Sequence, residues 1–103
     1  MVRHLEASEK HLAPGAGTSI VAFSAKWCPP CKMMDPIFES AAARFPAVEF
    51  VKANQEAVPE LFEEYGVQSI PTYLVFREGK EVHRHVGAVP AARFQAMLES
   101  IAG

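Results

Sequence analysis

The sequence predicts an α/β fold in which a central mixed sheet of four to five strands carries helices on both faces. Two features of the whole chain predict it. Strand-like apolar runs alternate with segments whose apolar residues recur at helical spacing. Near the C-terminal end, two strand-like runs are joined by a two-residue turn and followed by a last amphipathic segment, which adds an antiparallel hairpin and a closing helix.

Composition limits the class of protein. The chain has 103 residues, half of them hydrophobic, and a formal net charge of −2. This length suits a single domain over residues 1–103, able to bury about two-thirds of the surface of its unfolded chain. Without a basic run or a membrane-length apolar stretch, nucleic acid and membrane are not expected as partners. No signal peptide is recognisable, so we expect the protein to be cytoplasmic unless a leader peptide was removed. We also expect it to be a monomer.

The first part of the chain predicts two strands before a long helix. Residues 2–5 form a short edge strand, and Ser8 caps one or two helical turns that end near Leu12. Proline and glycines over residues 14–17 break the chain. Residues 18–25 then form a strand that is apolar on both faces, as expected of a covered central strand.

The middle of the chain predicts a helix from Pro30 to Arg44 followed by a strand over residues 48–53. The buried stripe of the helix consists of Met34, Ile37, Phe38, Ala41 and Phe45. A shorter amphipathic helix follows, and Gly66 is placed to end it as a C′ residue. Its apolar residues are Val58, Leu61, Phe62 and Tyr65.

The last part predicts a hairpin and a helix. Strands over residues 72–76 and 81–86 flank the turn Glu78-Gly79. Within the second strand, His83 and His85 are expected to share a face with Glu81, as solvated or rim residues. The final helix buries four apolar side chains at spacings i, i+3, i+4 and i+7, namely Phe94, Met97, Leu98 and Ile101.

The two cysteines, Cys28 and Cys31, lie where the central strand gives way to the long helix. A disulfide between them would close too short a loop to be an effective structural crosslink. A structural zinc site needs four ligands, and there is no second Cys-x-x-Cys pair; His83 and His85 have the wrong spacing for a zinc finger. The remaining interpretation is a redox pair that opens and closes.

The position of the two cysteines at the start of the helix favours ionisation of the first of their thiols. Cys28 would precede or cap the helix, where unpaired N–H groups and the positive end of the helix dipole favour a thiolate. Since the thiolate is the attacking species, Cys28 is the predicted nucleophile, and the more sheltered Cys31 resolves the mixed disulfide. Pro30 suits the first helical position, whereas Pro29, which precedes a proline, is expected outside the helix.

Taken together, these residues resemble the thioredoxin family over essentially the whole chain. The matching segments are Val21-Ala22-Phe23, Trp27-Cys28-Pro29-Pro30-Cys31-Lys32-Met33, Pro36, Lys52, Ile70-Pro71-Thr72, Phe76, Gly79 and Val86-Gly87-Ala88. The resemblance implies a dithiol–disulfide oxidoreductase that reduces disulfide-containing proteins, is re-reduced by a reductase or a dithiol donor, and needs no metal or organic cofactor. The cysteine motif is also similar to that of tryparedoxins and nucleoredoxins, which are longer.

Three other functions stay open at this stage: a thiol oxidase or isomerase, a tryparedoxin-like reductant of peroxidases, and a binding module whose redox chemistry is incidental. For the site, the resemblance implies Cys28 as nucleophile, Cys31 as resolving residue and a cis Ile70-Pro71 peptide bond beside them. It also implies a flat surface for partner proteins, made by Trp27, Ile70, Pro71, Gly87 and Ala88.

The sequence departs from the family pattern at three positions. Pro29 replaces the usual glycine, which removes a backbone N–H, so we expect a stiffer loop and a less stabilised Cys28 thiolate. Ser24 replaces a common second tryptophan, and no functional consequence is attached to it. Ala22 replaces a buried aspartate that the family uses to exchange the proton of the resolving thiol, while the customary partner of that aspartate, Lys52, remains.

Asp35 is the candidate to replace the missing carboxylate. It lies four residues after Cys31, on the same side of the helix. Strand alternation places Lys52 on an apolar face, where a buried ammonium needs a partner. One hypothesis is that Asp35 pairs with Lys52 and acts as the acid–base group near Cys31. The alternative is a solvated Asp35 and a Lys52 whose amine reaches water.

Overall fold

The computed structural model describes residues 2–5 and 17–102. They form five strands and three helices, in the order β1 (Val2–His4), β2 (Thr18–Ser24), α1 (Pro29–Arg44), β3 (Val48–Asn54), α2 (Pro59–Glu64), β4 (Thr72–Arg77), β5 (Lys80–Val86) and α3 (Ala91–Ala102). The predicted α/β class is confirmed. The helical turns predicted from Ser8 to Leu12 and most of the predicted break, residues 14–16, lie outside the described residues.

The strands form one mixed sheet in the order β1-β3-β2-β4-β5. The pairs β1–β3 and β2–β3 are parallel, whereas β4 is antiparallel to both β2 and β5. The central strand β2 is buried from Ser19 to Ser24, as its uninterrupted apolar run predicts. Its carboxyl end therefore delivers the chain directly to the start of α1, which is where both cysteines lie.

Alternation of side chains along the strands divides the core between the two faces of the sheet. Helices α1 and α3 cover one face, where the ring of Phe38 contacts the rings of Phe50, Tyr73 and Phe94. Helix α2 covers the other face, where Phe62 makes an edge-to-face contact with Phe23 at 5.0 Å. Among the described residues, no helix has the length and apolar character needed to cross a membrane.

Helix α1 begins at Pro29, so the prediction that Pro29 lies outside the helix is wrong. The ring of a proline fixes φ near a helical value, and neither Pro29 nor Pro30 needs an N–H in the first turn. These properties outweigh the preference of Pro29 for extended backbone before a second proline. The extended conformation falls instead on Cys28, with φ −90° and ψ 110°.

The two turns predicted from glycines have the expected geometry. Gly66 follows α2 with φ +64°, and the N–H groups of Gly66 and Val67 donate to the carbonyls of Glu63 and Phe62, which closes the helix. In the hairpin, Glu78 and Gly79 have φ of +52° and +80°, as in the turn type that suits twisted strands.

The second hairpin strand differs from the prediction at its start. Glu81 pairs with Phe76 and His83 with Val75, so Val82 is an extra residue in β5. This irregularity shifts the alternation, and Glu81 therefore does not share a face with His83 and His85. Glu81 instead accepts two hydrogen bonds from Arg84, at 2.9 and 3.0 Å.

Candidate active site

Cys28 caps the N-terminus of α1. Its Sγ accepts a hydrogen bond from the backbone N of Cys31 at 3.3 Å, and its carbonyl accepts one from Lys32 at 3.1 Å. Because Pro29 and Pro30 carry no N–H, the Cys31 amide is the first N–H donor of the helix. The only helical N–H available in the first turn is therefore directed at the Cys28 sulfur.

Both cysteines are free thiols in a small apolar cluster with Ala25, against which Ile70 packs. Cys28 is 3% exposed and Cys31 is 2% exposed, so both thiols are buried to nearly the same extent. Access by a substrate sulfur thus requires contact at the edge of this cluster, where Ile70 packs.

The pKa of the Cys31 thiol is raised above its ordinary value. Burial is the largest cause, and a hydrogen bond with the Cys28 thiol adds to it. Hydrogen bonds with the Ser24 side chain and the Ala25 backbone lower the pKa and offset part of the increase. Near neutral pH, Cys31 is therefore a protonated thiol that must lose a proton before it can attack.

Ser24 is a site residue to which the sequence analysis attached no role. It is the last residue of β2, it is buried, and its side chain lowers the pKa of the Cys31 thiol. A signal was present in the sequence, since Ser24 lies two residues after Ala22 and strand alternation places both on the α1 face.

The loop between β2 and α1 is held by the segment after β3. The backbone N of Gln55 donates to the Ser24 carbonyl at 2.8 Å, and the Glu56 carboxylate accepts from the backbone N of Lys26 at 3.1 and 3.3 Å. The Cys28 N–H donates to the Ala25 carbonyl at 3.3 Å. These bonds fix the backbone on which the thiol pair is carried.

The Ile70-Pro71 peptide bond is cis, the isomer that the resemblance implies, and Ile70 packs against the thiol cluster. The carbonyl of Pro71 accepts a hydrogen bond from the backbone N of Gly87 at 2.7 Å, so the two loops are joined directly. Gly87 has φ +99°, a conformation that side chains other than that of glycine rarely adopt. The space where its Cβ would lie is open, with no atom within 4 Å.

The expected partner surface is only partly exposed. Trp27 is 66% exposed, in agreement with its place in a solvent-facing loop, and Ala88 is exposed too. Ile70 and Gly87 are partly buried, whereas Pro71 is buried. The exposed part of the expected surface therefore consists of Trp27 and Ala88, and whether a partner contacts Pro71 stays a prediction. Met33, which is exposed beside the thiols, enlarges the apolar area on the α1 side.

Asp35 and Lys52 form an ion pair in the structure. Lys52 Nζ donates to Asp35 Oδ1 at 2.5 Å, with side-chain exposures of 14% for Lys52 and 44% for Asp35. Lys52 and Ala22 are register partners, and Ala22 is in turn opposite Tyr73. The three residues therefore lie side by side on the α1 face of the sheet.

Tyr73 is the second residue that the sequence analysis missed. Its side chain is almost fully buried, and burial raises the pKa of its phenol far above the ordinary value. The negative charges of Cys31, Asp35 and Cys28 raise that pKa further, in decreasing order. A neutral phenol therefore lies in the electric field of both thiols and of the Asp35 carboxylate.

The chain is similar to a family model and to several known proteins. The family model described as Thioredoxin matches residues 2–100. A thioredoxin of Chlamydia muridarum is 47% identical over 72 residues, which cover 70% of this chain and 71% of that protein. A thioredoxin of Chlamydia caviae is 41% identical over 84% of this chain and 85% of its own length. Thioredoxin-2 of Saccharomyces cerevisiae is 36% identical over 98% of this chain and all of its own.

Proposed function

The chain belongs to the thioredoxin family, and we propose that it reduces disulfide bonds of other proteins by exchange through Cys28 and Cys31. Membership supports a thiol–disulfide oxidoreductase role in general. The observation that carries the finer proposal is the Cys28 sulfur at the start of α1, 3.3 Å from the backbone N of Cys31. A thiolate at that position gains both a hydrogen bond and the favourable end of the helix dipole.

The first step is attack by the Cys28 thiolate on one sulfur of a substrate disulfide. A bond forms between Cys28 and that sulfur, the substrate S–S bond breaks, and the second substrate sulfur leaves with the electron pair and takes up a proton. The product is a mixed disulfide between Cys28 and the substrate. The step requires only one of the two cysteines.

The second step is attack by Cys31 on the Cys28 sulfur of the mixed disulfide. The Cys31 thiol first gives up its proton, then the Cys28–Cys31 bond forms and the substrate sulfur leaves as a thiolate that is protonated. Substrate is reduced by two electrons and the protein is oxidised by two. We assign the uptake of the Cys31 proton to Asp35, one helical turn away and held by Lys52.

Partners are proposed from the surface around the thiols. Trp27, Met33 and Ala88 are exposed, while the partly buried Gly87 leaves room for the backbone of a substrate. An extended segment of a disulfide-containing protein would bind across this area. The oxidised protein would be re-reduced there by a reductase or a dithiol donor, in a reducing compartment such as the cytoplasm, with no organic cofactor.

The test is the reduction of insulin followed by turbidity, with dithiothreitol as the electron donor. We expect the protein to accelerate precipitation of the insulin B chain, and Cys28→Ser to abolish the acceleration. Cys31→Ser keeps the nucleophile, so when it is mixed with insulin after removal of dithiothreitol it should accumulate a mixed disulfide that survives non-reducing electrophoresis. A binding module with incidental cysteines would give no acceleration, and this result would refute the proposal.

A separate measurement tests the direction in which electrons pass between the thiol pair and other proteins. Equilibrating the Cys28–Cys31 pair with glutathione gives its reduction potential. A reductase has a pair of low potential, so its disulfide resists reduction by glutathione and its dithiol readily donates electrons to a substrate disulfide. A pair of high potential, which glutathione at the ratio of a reducing compartment converts almost fully to the dithiol, would identify the protein as an oxidase or isomerase.

A further inference from the structure

A four-residue turn joins the end of β2 to the start of α1. It runs from Ala25 to Cys28 and is closed by the hydrogen bond that Cys28 N donates to the Ala25 carbonyl at 3.3 Å. Lys26 and Trp27 are its two central residues, and both are exposed. The orientation of the Trp27 side chain therefore depends on what holds the middle of this turn.

The middle of the turn is bound by a carboxylate from the segment after β3. Both oxygens of Glu56 accept a hydrogen bond from the backbone N of Lys26, at 3.1 and 3.3 Å. Within residues 2–5 and 17–102, no other hydrogen bond ties Lys26 or Trp27 to another segment of the chain. Among the described residues, Glu56 is thus the one hydrogen-bonding anchor for the centre of the turn.

The backbone around Glu56 is itself fixed. The backbone N atoms of Ala57 and Val58 both donate to the Asn54 carbonyl at 3.0 Å, so the chain turns tightly after β3. The preceding residue, Gln55, donates its backbone N–H to the Ser24 carbonyl at 2.8 Å. The carboxylate is therefore attached to a segment that is already bound to the end of β2.

Cys28 is held by different contacts. Its Sγ accepts a hydrogen bond from the backbone N of Cys31 at 3.3 Å, and its carbonyl accepts one from Lys32 N at 3.1 Å. These two bonds attach Cys28 to the first turn of α1. The hydrogen bond to Glu56 therefore restrains Trp27, while α1 restrains the sulfur that reacts.

We propose that Glu56 is a positioning residue that keeps Trp27 in the orientation in which a partner protein binds it. The inference rests on the proposed function, since it concerns binding of the protein substrate before the first chemical step. Without the carboxylate, the turn would populate other conformations. A substrate would then bind only the fraction of molecules in which Trp27 is correctly placed, and the apparent affinity would fall by that fraction.

The expected size follows from the loss of one hydrogen bond at an exposed position. Such a bond changes a conformational equilibrium by about fivefold. We therefore expect Glu56→Ala to raise the KM for a protein substrate by about fivefold. The kcat should be unchanged, because the contacts that hold Cys28 remain in place.

The first test measures the initial rate of insulin reduction as the insulin concentration is varied, with dithiothreitol as the electron donor. Glu56→Gln removes the charge but keeps an oxygen that accepts a hydrogen bond, so it should restore most of the parental KM. Glu63→Ala is the matched control, because it removes the same carboxylate from an exposed position in α2. A KM raised equally in Glu63→Ala, or not restored in Glu56→Gln, would show that charge and not position is responsible.

A small disulfide separates binding from chemistry. The aliphatic compound 2-hydroxyethyl disulfide presents a sulfur to Cys28 without a protein surface for Trp27 to contact. In single-turnover reactions, Glu56→Ala should react with this compound at the parental rate. A rate lowered by the same factor as insulin reduction would place the effect on the nucleophile and overturn the proposal.

The fluorescence of Trp27 supplies a readout that requires no substrate. Trp27 is the only tryptophan in the sequence, so the time-resolved anisotropy of the reduced protein reports this turn alone. Glu56→Ala should increase the amplitude of the subnanosecond component, and Glu56→Gln and Glu63→Ala should resemble the parent. Unchanged anisotropy in Glu56→Ala would refute the role of Glu56, whereas a parent protein that fails to reduce insulin would refute the proposed function itself.

Discussion

The ion pair between Lys52 and Asp35 joins two groups with very different exposure to water. Lys52 is 14% exposed and Asp35 is 44% exposed, with 2.5 Å between Nζ and Oδ1. Water can therefore replace the lysine as a partner of the carboxylate more easily than it can replace the carboxylate as a partner of the ammonium. Removing the carboxylate should cost more stability than removing the amine.

The expected losses in the free energy of unfolding follow from this difference in exposure. Breaking a fully buried pair by removing one partner costs about 3–5 kcal/mol, and an exposed pair contributes about 0.2–1 kcal/mol. Asp35→Asn leaves a largely buried ammonium with only an amide oxygen, and we expect it to lower the free energy of unfolding by about 1.5–2 kcal/mol. Lys52→Met keeps an apolar stem against the sheet and frees a carboxylate that water can solvate, so we expect a loss of about 0.5 kcal/mol.

The double variant provides the internal check. Once Asp35 has been replaced, Lys52→Met removes the unpaired ammonium, so the double variant should be about as stable as Lys52→Met alone. The magnitude of the coupling free energy between the two positions is then about 1.5–2 kcal/mol. Urea unfolding at neutral pH in excess dithiothreitol measures all four proteins with the thiols reduced. A Lys52→Met variant less stable than Asp35→Asn, or a double variant whose losses add, would refute this account of the pair.

Two further predictions concern other residues near the thiols. Since burial raises the pKa of Tyr73 above its ordinary value of 10.0, the unfolded chain loses the phenol proton first as pH rises, so stability should fall above about pH 10. Urea unfolding from pH 9 to 11 should show a smaller fall in Tyr73→Phe, and an equal fall would contradict the assignment. Gly87→Ala should cost about 1–2 kcal/mol through its φ of +99° alone, because the added Cβ meets no atom within 4 Å. Gly17→Ala, with φ +88° and the same open space, is the matched control: it should cost similar stability, and only Gly87→Ala should also slow insulin reduction.

Local patterns predicted most of the fold because each follows from a few neighbouring residues. Apolar spacing places α1 and α3, and the two-sided apolar run identifies β2 as the central strand. Gly66 and the Glu78-Gly79 turn were predicted from the need for positive φ. The cysteine site followed from the same information, since a strand end and a helix start are both local features.

The errors arose where contacts between distant segments decide the outcome. The extra residue Val82 in β5 depends on pairing with β4, so counting positions along β5 alone placed Glu81 on the wrong face. Ser24 was missed for a different reason: a buried serine in a strand indicates little until the group that it meets is known.

The electric field at the two thiols depends on which elements of the fold carry the charged side chains. With alanine at position 22, β2 contributes no ionisable group to the layer beneath Cys31, and the residue opposite Ala22 is Tyr73, whose buried phenol is neutral. The carboxylate lies instead on α1, at Asp35, where it is nearly half exposed and paired with Lys52. A charge in that position acts on Cys31 through a higher effective dielectric than a carboxylate buried in the sheet would. Deprotonation of Cys31 is therefore expected to depend less on the charge of Asp35 than it would on the charge of a carboxylate buried in the sheet.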